Sequence, residues 1–240
     1  MSGLAEHLAA ERLVDLTQPL GPATPLWPGS TPFAASTLLT VEADGCYVRE
    51  LALPEHIGTH LDAPAHFAAD GRRVHELTPD LLVRPAAMLD VAARVDDDPH
   101  ALVTRGHLEE LEARDGRLER GSAALVRTGW DANVSDPGRY LGPHDALAFP
   151  GLDLSAAELL LERGVVGVGI DTLSTDPGAS TTFPVHRTLL PAGLWQVEGL
   201  VGLDRLPPRG AWIVVAPLRL VEGSGTPARV FGILPAPAGR

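Results

Sequence analysis

An α/β domain built around a mixed β-sheet is the fold class that this chain predicts. Three observations predict it. Short apolar runs recur with helix-compatible segments between some of them, an early Asp-Gly pair marks an antiparallel hairpin, and no composition shift marks a linker anywhere in the 240 residues. One domain spanning residues 1–240 is therefore expected, large enough to bury roughly 70 to 75% of its unfolded surface around one core.

The elements follow in chain order. Residues 4 to 12 pattern as a short helix running into a strand near Val14 to Leu16. The stretch QPLGPATPLWPGSTPF is a loop by its prolines. Thr37 to Val41 and Tyr47 to Leu53 flank the turn pair Asp44-Gly45 and read as a hairpin, whose second arm delivers the chain into PEHIGTHLDAPAHF. Further strands are expected at Ala86 to Val91, Ala123 to Arg127, Val165 to Ile170, Ala211 to Ala216 and Arg229 to Leu234. Helices are expected at Arg105 to Ala113 behind Thr104 as N-cap, and at Ala156 to Arg163 behind a capping box from Ser155 to Glu158.

Charge and composition exclude several function classes. A formal charge of -12 and a pI near 5.1 repel polyanions, which argues against nucleic-acid binding. All 19 basic residues are Arg, so no Schiff-base or P-loop lysine exists. Cys46 is the only cysteine, which precludes an intrachain disulfide and a Cys-based zinc site and fits a reducing, cytoplasmic setting. No apolar run approaches the ~18 residues of a membrane span. Glu6, Glu11 and Arg12 interrupt what would be the apolar core of a secretion signal, so neither membrane nor export is expected.

The chemistry concentrates in His56-Ile-Gly-Thr-His60-Leu-Asp62-Ala-Pro-Ala-His66, where three of the nine histidines and one carboxylate share eleven positions. Imidazole nitrogen and carboxylate oxygen are the donors that Zn²⁺ takes, with Mn²⁺ and Fe²⁺ compatible. A straight strand would place His56 and His60 roughly 13 Å apart, too far to share an ion. A regular helix would turn Asp62 about 240° from His56. Gly58 and Pro64 instead allow a chain that curls, so that His56, His60 and Asp62 converge with His66 beside them. Three ligands from one segment leave coordination positions open, as catalytic ions require. Farther along, Asp171 ends an apolar strand, where a turn or cap role competes with a functional one.

At these residues the chain resembles the cyclase family of metal-dependent hydrolases, which includes bacterial kynurenine formamidases and isatin hydrolases. The family signature H-x-G-T-H-x-D-x-P-x-H is matched without departure. The Trp27-Pro28-Gly29 triplet and the distal stretch GIDTLSTDPGASTTFPVHRTLLPAGLWQVEGL are also similar, in the right order. The resemblance implies a layered, swivelling β/β/α fold and one or two divalent ions, Zn²⁺ or Mn²⁺. It implies His56, His60 and Asp62 as ligands of a first ion, Asp62 as a bridge, and His186 and Glu198 as ligands of a second. It further implies His66 as the proton-transfer residue, Trp27 as a substrate contact, a small-molecule amide as substrate, and a homodimer or higher assembly. N-formylkynurenine-like aryl formamides are the first substrate class implied and isatin-like cyclic amides the second. Trp195 and Phe183 could join an aromatic wall, though a core role is the simpler reading for both. Further pocket-lining residues are expected from the 18–36 loop and from the 130–150 region, where patterning is weakest.

Rival readings lack their motifs. No G-x-S-x-G surrounds Gly223-Ser224-Gly225 or Pro28-Gly29-Ser30, no third glycine completes Gly167-Val168-Gly169, and no H-E-x-x-H occurs. The alternatives that keep the ion are lactone hydrolysis or dehydration, and a metal-stabilised ligand-binding protein without turnover.

Overall fold

The computed structural model describes residues 12–143 and 146–235. The expected N-terminal helix falls almost wholly outside these. The strands are β1 (Leu13–Asp15), β2 (Ala34–Leu39), β3 (Val48–Ala52), β4 (His60–Asp62), β5 (Val83–Asp90) and β6 (Leu102–Val103). They continue with β7 (Ala123–Arg127), β8 (Gly151–Leu152), β9 (Gly167–Ile170), β10 (Trp195–Glu198), β11 (Ala211–Pro217) and β12 (Gly225–Ile233).

Eight of them form one mixed sheet in the order β1-β12-β11-β5-β7-β9-β10-β4. β5, β7, β9 and β10 run parallel, and the remaining pairings are antiparallel. The sheet closes on itself, because β4 also pairs with the first residues of β12. Side chains alternate between two buried faces, as the pleat requires. Ala86, Met88, Ala123 and Leu125 point into one apolar cluster with Leu61, Trp195 and Val197. Ala87, Leu89, Ala124 and Val126 point into the other with Val168 and Ile170. This mixed α/β architecture in a single domain is the one that the sequence predicts.

Two helices cover the second face. In α1 (Arg105–Asp115) Thr104 accepts from the His107 amide as predicted, and the His107 ring accepts from the Thr104 amide in return. α2 (Leu154–Arg163) begins two residues earlier than expected, because Asp153 and not Ser155 is its N-cap. The Asp153 carboxylate accepts from the Ala156 amide, and the Ser155 hydroxyl, already inside the helix, donates to that same carboxylate. Leu108, Leu111, Ala156, Leu159 and Leu160 supply the apolar stripes. Arg163 of α2 clasps Glu112 of α1 through both carboxylate oxygens at 2.7 to 3.1 Å.

The predicted hairpin is present as β2 and β3, joined by a helical turn at Val41–Asp44 that Thr40 caps and Gly45 ends. No helix among the described residues is long and apolar enough to cross a membrane.

Candidate metal centre

The position of β4 explains how a sequence cluster becomes a site. Successive strand residues face opposite sides, so Leu61 enters the core, while His60 and Asp62 face a cavity together. Across the antiparallel pairing, Glu198 of β10 stands opposite His60, and Gln196 opposite Asp62. Gly58 adopts φ +59°, a left-handed turn that reverses the chain before β4. His56 thereby returns over the strand, its Nδ1 2.6 Å from Asp62 Oδ1. The last donor, His186, lies on α3 (Pro184–Leu189). Buried Asp176 accepts from the Val185 and His186 amides of that helix and holds His186 Nδ1 at 2.6 Å.

All five predicted ligands thus meet. His60 Nε2 lies 3.3 Å from Asp62 Oδ1 and 3.5 Å from Glu198 Oε2. His186 Nε2 lies 3.4 Å from Asp62 Oδ2 and 3.3 Å from Glu198 Oε1. Charge-assisted hydrogen bonds between such groups are shorter, ~2.7 to 2.9 Å. Ligands placed ~2.0 to 2.1 Å from one tetrahedral ion are separated by about 3.3 Å, the spacing seen here. Asp62 Oδ2 is buried without a hydrogen-bond partner, which is costly unless something cationic meets it. The Nδ1 atoms of His60 and His186 are occupied by Gly58 O and Asp176, which leaves both Nε2 atoms facing the carboxylates. Two compact groups emerge as able to hold an ion: His60, Asp62 and Glu198, and His56, Asp62 and His66. The residues therefore fit a divalent cation.

The electrostatics agree with that fit. Burial acts to raise the Asp62 carboxyl, but His56 and His60 outweigh it and hold it well below the usual carboxylate range. Burial acts to lower His60, but Asp62 and Glu198 raise it to about 9. His186 is likewise lifted well above its ordinary value against its burial, by Glu198, Asp176 and Asp62. The pocket attracts positive charge.

His66 stands at the mouth, its ring stacked on His56 at 4.0 Å between centroids and edge-on to Phe67. Desolvation against the cavity wall, helped by His56 and His186 and opposed by Asp62, lowers it to about 4, so the ring is a neutral proton acceptor at pH 7. The cavity, about 340 Å³, is lined on one side by His56, His60, His66, His186 and Glu198, and on the other by Trp27, Phe67, Leu173 and Phe183. Phe183 sits 5.8 Å from both Trp27 and Phe67, so it belongs to this aromatic wall and not to the core. Trp195 is the core residue it was read as, buried with its indole N–H donating to Leu81 O.

One expectation is corrected and one open alternative is decided. None of the described residues of the 130–150 region lines the cavity: Trp130, Tyr140 and Phe149 close into an apolar cluster with Leu173, on which Trp27 packs. Asp171 also lies away from the donors, its carboxylate accepting from Thr128 N, Thr128 Oγ1 and Gly129 N, with burial raising it to about 6. Sequence reasoning passed over Phe67, Asp176, Thr175 and Gln196. Thr175 donates its amide to Glu198 and its hydroxyl to Gln196, and so fixes β10's carboxylate. The only signal for Thr175 and Asp176 was their place in the distal stretch preceding His186.

Comparison with known proteins bears on the same residues. An isatin hydrolase of Roseibium aggregatum is 32% identical over 98% of this chain and 97% of its own length. A kynurenine formamidase of Geobacillus thermodenitrificans is 32% identical over 90% of this chain and 94% of its own. Isatin hydrolase A from Ralstonia solanacearum superposes with a TM-score of 0.90 at 36% identity, covering 96% of this chain and 95% of that one. A structure described as a potential metal-dependent hydrolase with cyclase activity gives 0.71 at 26% identity, over 92% and 97%. The model of the Cyclase family, described as "Putative cyclase", matches residues 14–177, a span that contains the whole His56-to-His66 segment. With a matching family model and full-length relatives, the chain belongs to the Cyclase family.

Proposed function

We propose that this chain is a metal-dependent amidohydrolase that opens an aryl amide at the cavity between the histidines and the aromatic wall. The observation that carries the reading is the gathering of His56, His60, His186 and Glu198 around Asp62, whose buried Oδ2 has no hydrogen-bond partner. His56, His60 and Asp62 would hold one Zn²⁺ or Mn²⁺, and Asp62, His186 and Glu198 a second. When bound, such an ion polarises the carbonyl and lowers the pKa of water toward ~7. Trp27, Phe67 and Phe183 provide a flat apolar surface for an aryl ring, which sets the carbonyl toward the donors. His66 takes the proton of the attacking water on a ring nitrogen and returns it to the departing nitrogen as the C–N bond breaks.

The sequence placed aryl formamides ahead of cyclic amides. The structural likeness to isatin hydrolases supports the reverse order, with isatin-like lactams first. We read the chain as cytoplasmic and as a homodimer. The hairpin supports the second point, since Leu38, Val41, Tyr47 and Leu51 are more than half exposed on an element that would be marginal alone.

Purified protein assayed against isatins, N-formyl aryl amides and lactones should turn over the cyclic amides, lose at least 10³-fold on chelation and recover with Mn²⁺ or Zn²⁺. Activity indifferent to chelator would refute the reading, and turnover confined to lactones would refute the bond assigned. Light scattering should return twice the 25.3 kDa chain mass. A monomer at micromolar concentration would refute the assembly.

A further inference from the structure

The segment Gly223-Ser224-Gly225, set aside as a nucleophile, lies against the cavity from outside. Ser224 Oγ is 2.8 Å from Glu55 Oε2 and 3.2 Å from His56 Nε2. The same carboxylate oxygen accepts from the Ser224 and Gly225 amides at 3.0 and 3.3 Å. Gly225 packs under the imidazole so closely that a Cβ there would stand 2.4 Å from His56 Cε1.

Counting protons along this chain of contacts gives one arrangement. A carboxylate only accepts, and a serine hydroxyl has one proton to give. Glu55 therefore takes the hydroxyl proton, and Ser224 can only accept from His56. The His56 proton must then reside on Nε2. Its Nδ1 faces Asp62 Oδ1 at 2.6 Å, a contact that needs either a second proton on the ring or a metal ion in that proton's place.

We infer that Glu55 and Ser224 form a positioning relay that fixes His56 as the Nε2–H tautomer, so that His56 presents Nδ1 to the cation. His60 and His186 are set in the opposite sense, with Nδ1 tied and Nε2 presented. His56 is the ligand whose tautomer is set by its neighbour Glu55 through Ser224, in the turn just before β12. Neither Glu55 nor Ser224 touches the reacting atoms. The relay rests on the metal-centre reading above, and its test separates the two.

The experiment uses Co²⁺ as the affinity probe, with competition against a chromophoric chelator and the visible Co²⁺ spectrum, and reads the histidine rings by long-range ¹H–¹⁵N correlation in protein loaded with diamagnetic Zn²⁺. Wild type should bind Co²⁺ and show His56 protonated at Nε2. Ser224→Ala should weaken Co²⁺ 10- to 100-fold, shift the spectrum and unsettle the tautomer, with the fold intact by circular dichroism. Glu55→Gln should weaken it less, and the double variant no more than Ser224→Ala alone, since the two act in series. Ser224→Thr, which keeps the hydroxyl, should restore most of the affinity. Gly225→Ala, whose methyl would push the His56 ring away from Ser224, should also lower affinity. Affinity in Ser224→Ala within twofold of wild type, additive losses in the double variant, or a His56 proton found on Nδ1 would each overturn the relay while leaving the ion. A wild-type chain that binds no Co²⁺ would remove the ion and the relay with it.

Discussion

The two walls of the donor cluster are built differently. The distal wall, from Thr175 to Glu198, is sealed: Thr175, Asp176, His186, Gln196 and Glu198 are all buried and bonded to one another through side chains. The proximal wall, His56 to His66, is open at both ends, with His56 partly exposed and His66 exposed at the mouth. The difference teaches a division of labour. Buried carboxylates and amides fix the geometry of one half, and the accessible half is left to meet substrate and exchange protons.

The strongest way to break this division is through its shared member. Asp62 faces His56 and His60 with one oxygen and His186 with the other, so Asp62→Asn should abolish binding of every ion and lower kcat/KM by more than about 10³-fold. Retention of one equivalent of metal in that variant would show that the walls work independently. Asp176→Ala acts on the distal wall alone. It frees His186 and uncaps α3, and calorimetry should show one ion weakened by about 10- to 100-fold and the other unchanged. Equal weakening of both would erase the distinction.

A control lies outside both walls. Burial acts to raise Glu112, but the hydrogen bonds from Arg163 outweigh it, and its pKa is lowered in the folded chain. Because the folded value is depressed, the stabilisation is complete above the unfolded value of about 4.5 and is lost as pH falls through the folded one. Glu112→Gln should cost about 2 kcal/mol at pH 7, with the gap to wild type closing in acid and metal affinity unchanged. A gap independent of pH would contradict the ion pair as its source.

What the sequence disclosed tracks how local each determinant is. β7 appears at its predicted bounds, because five consecutive apolar-rich residues need no partner to declare themselves. The His56–His66 cluster was legible by density and the glycine that curls it. β4 and β10 were not, being three and four residues long and defined by each other's hydrogen bonds. His186 and Glu198 entered through resemblance alone, since it is the register of β4 on β10 that brings Glu198 to His60. The α2 cap was misplaced because Ser-x-x-Glu and Asp-x-x-Ala overlap, and the carboxylate two residues upstream caps the Ala156 amide and takes the Ser155 hydroxyl as a donor. The 130–150 region was assigned to the cavity for want of pattern, whereas its aromatics supply a backing for Trp27.

β4 is hydrogen-bonded along both edges, to β10 and to β12, and so has no free side from which to peel away. Its amides should exchange with deuterium only when the whole molecule opens, so loading the ion should slow them by the factor by which it stabilises the fold, and the chelated protein should show no local opening of this strand. The cation then arrives at a seat assembled beforehand by the closed sheet, and stripping and reloading should be a reversible docking event with no refolding phase between.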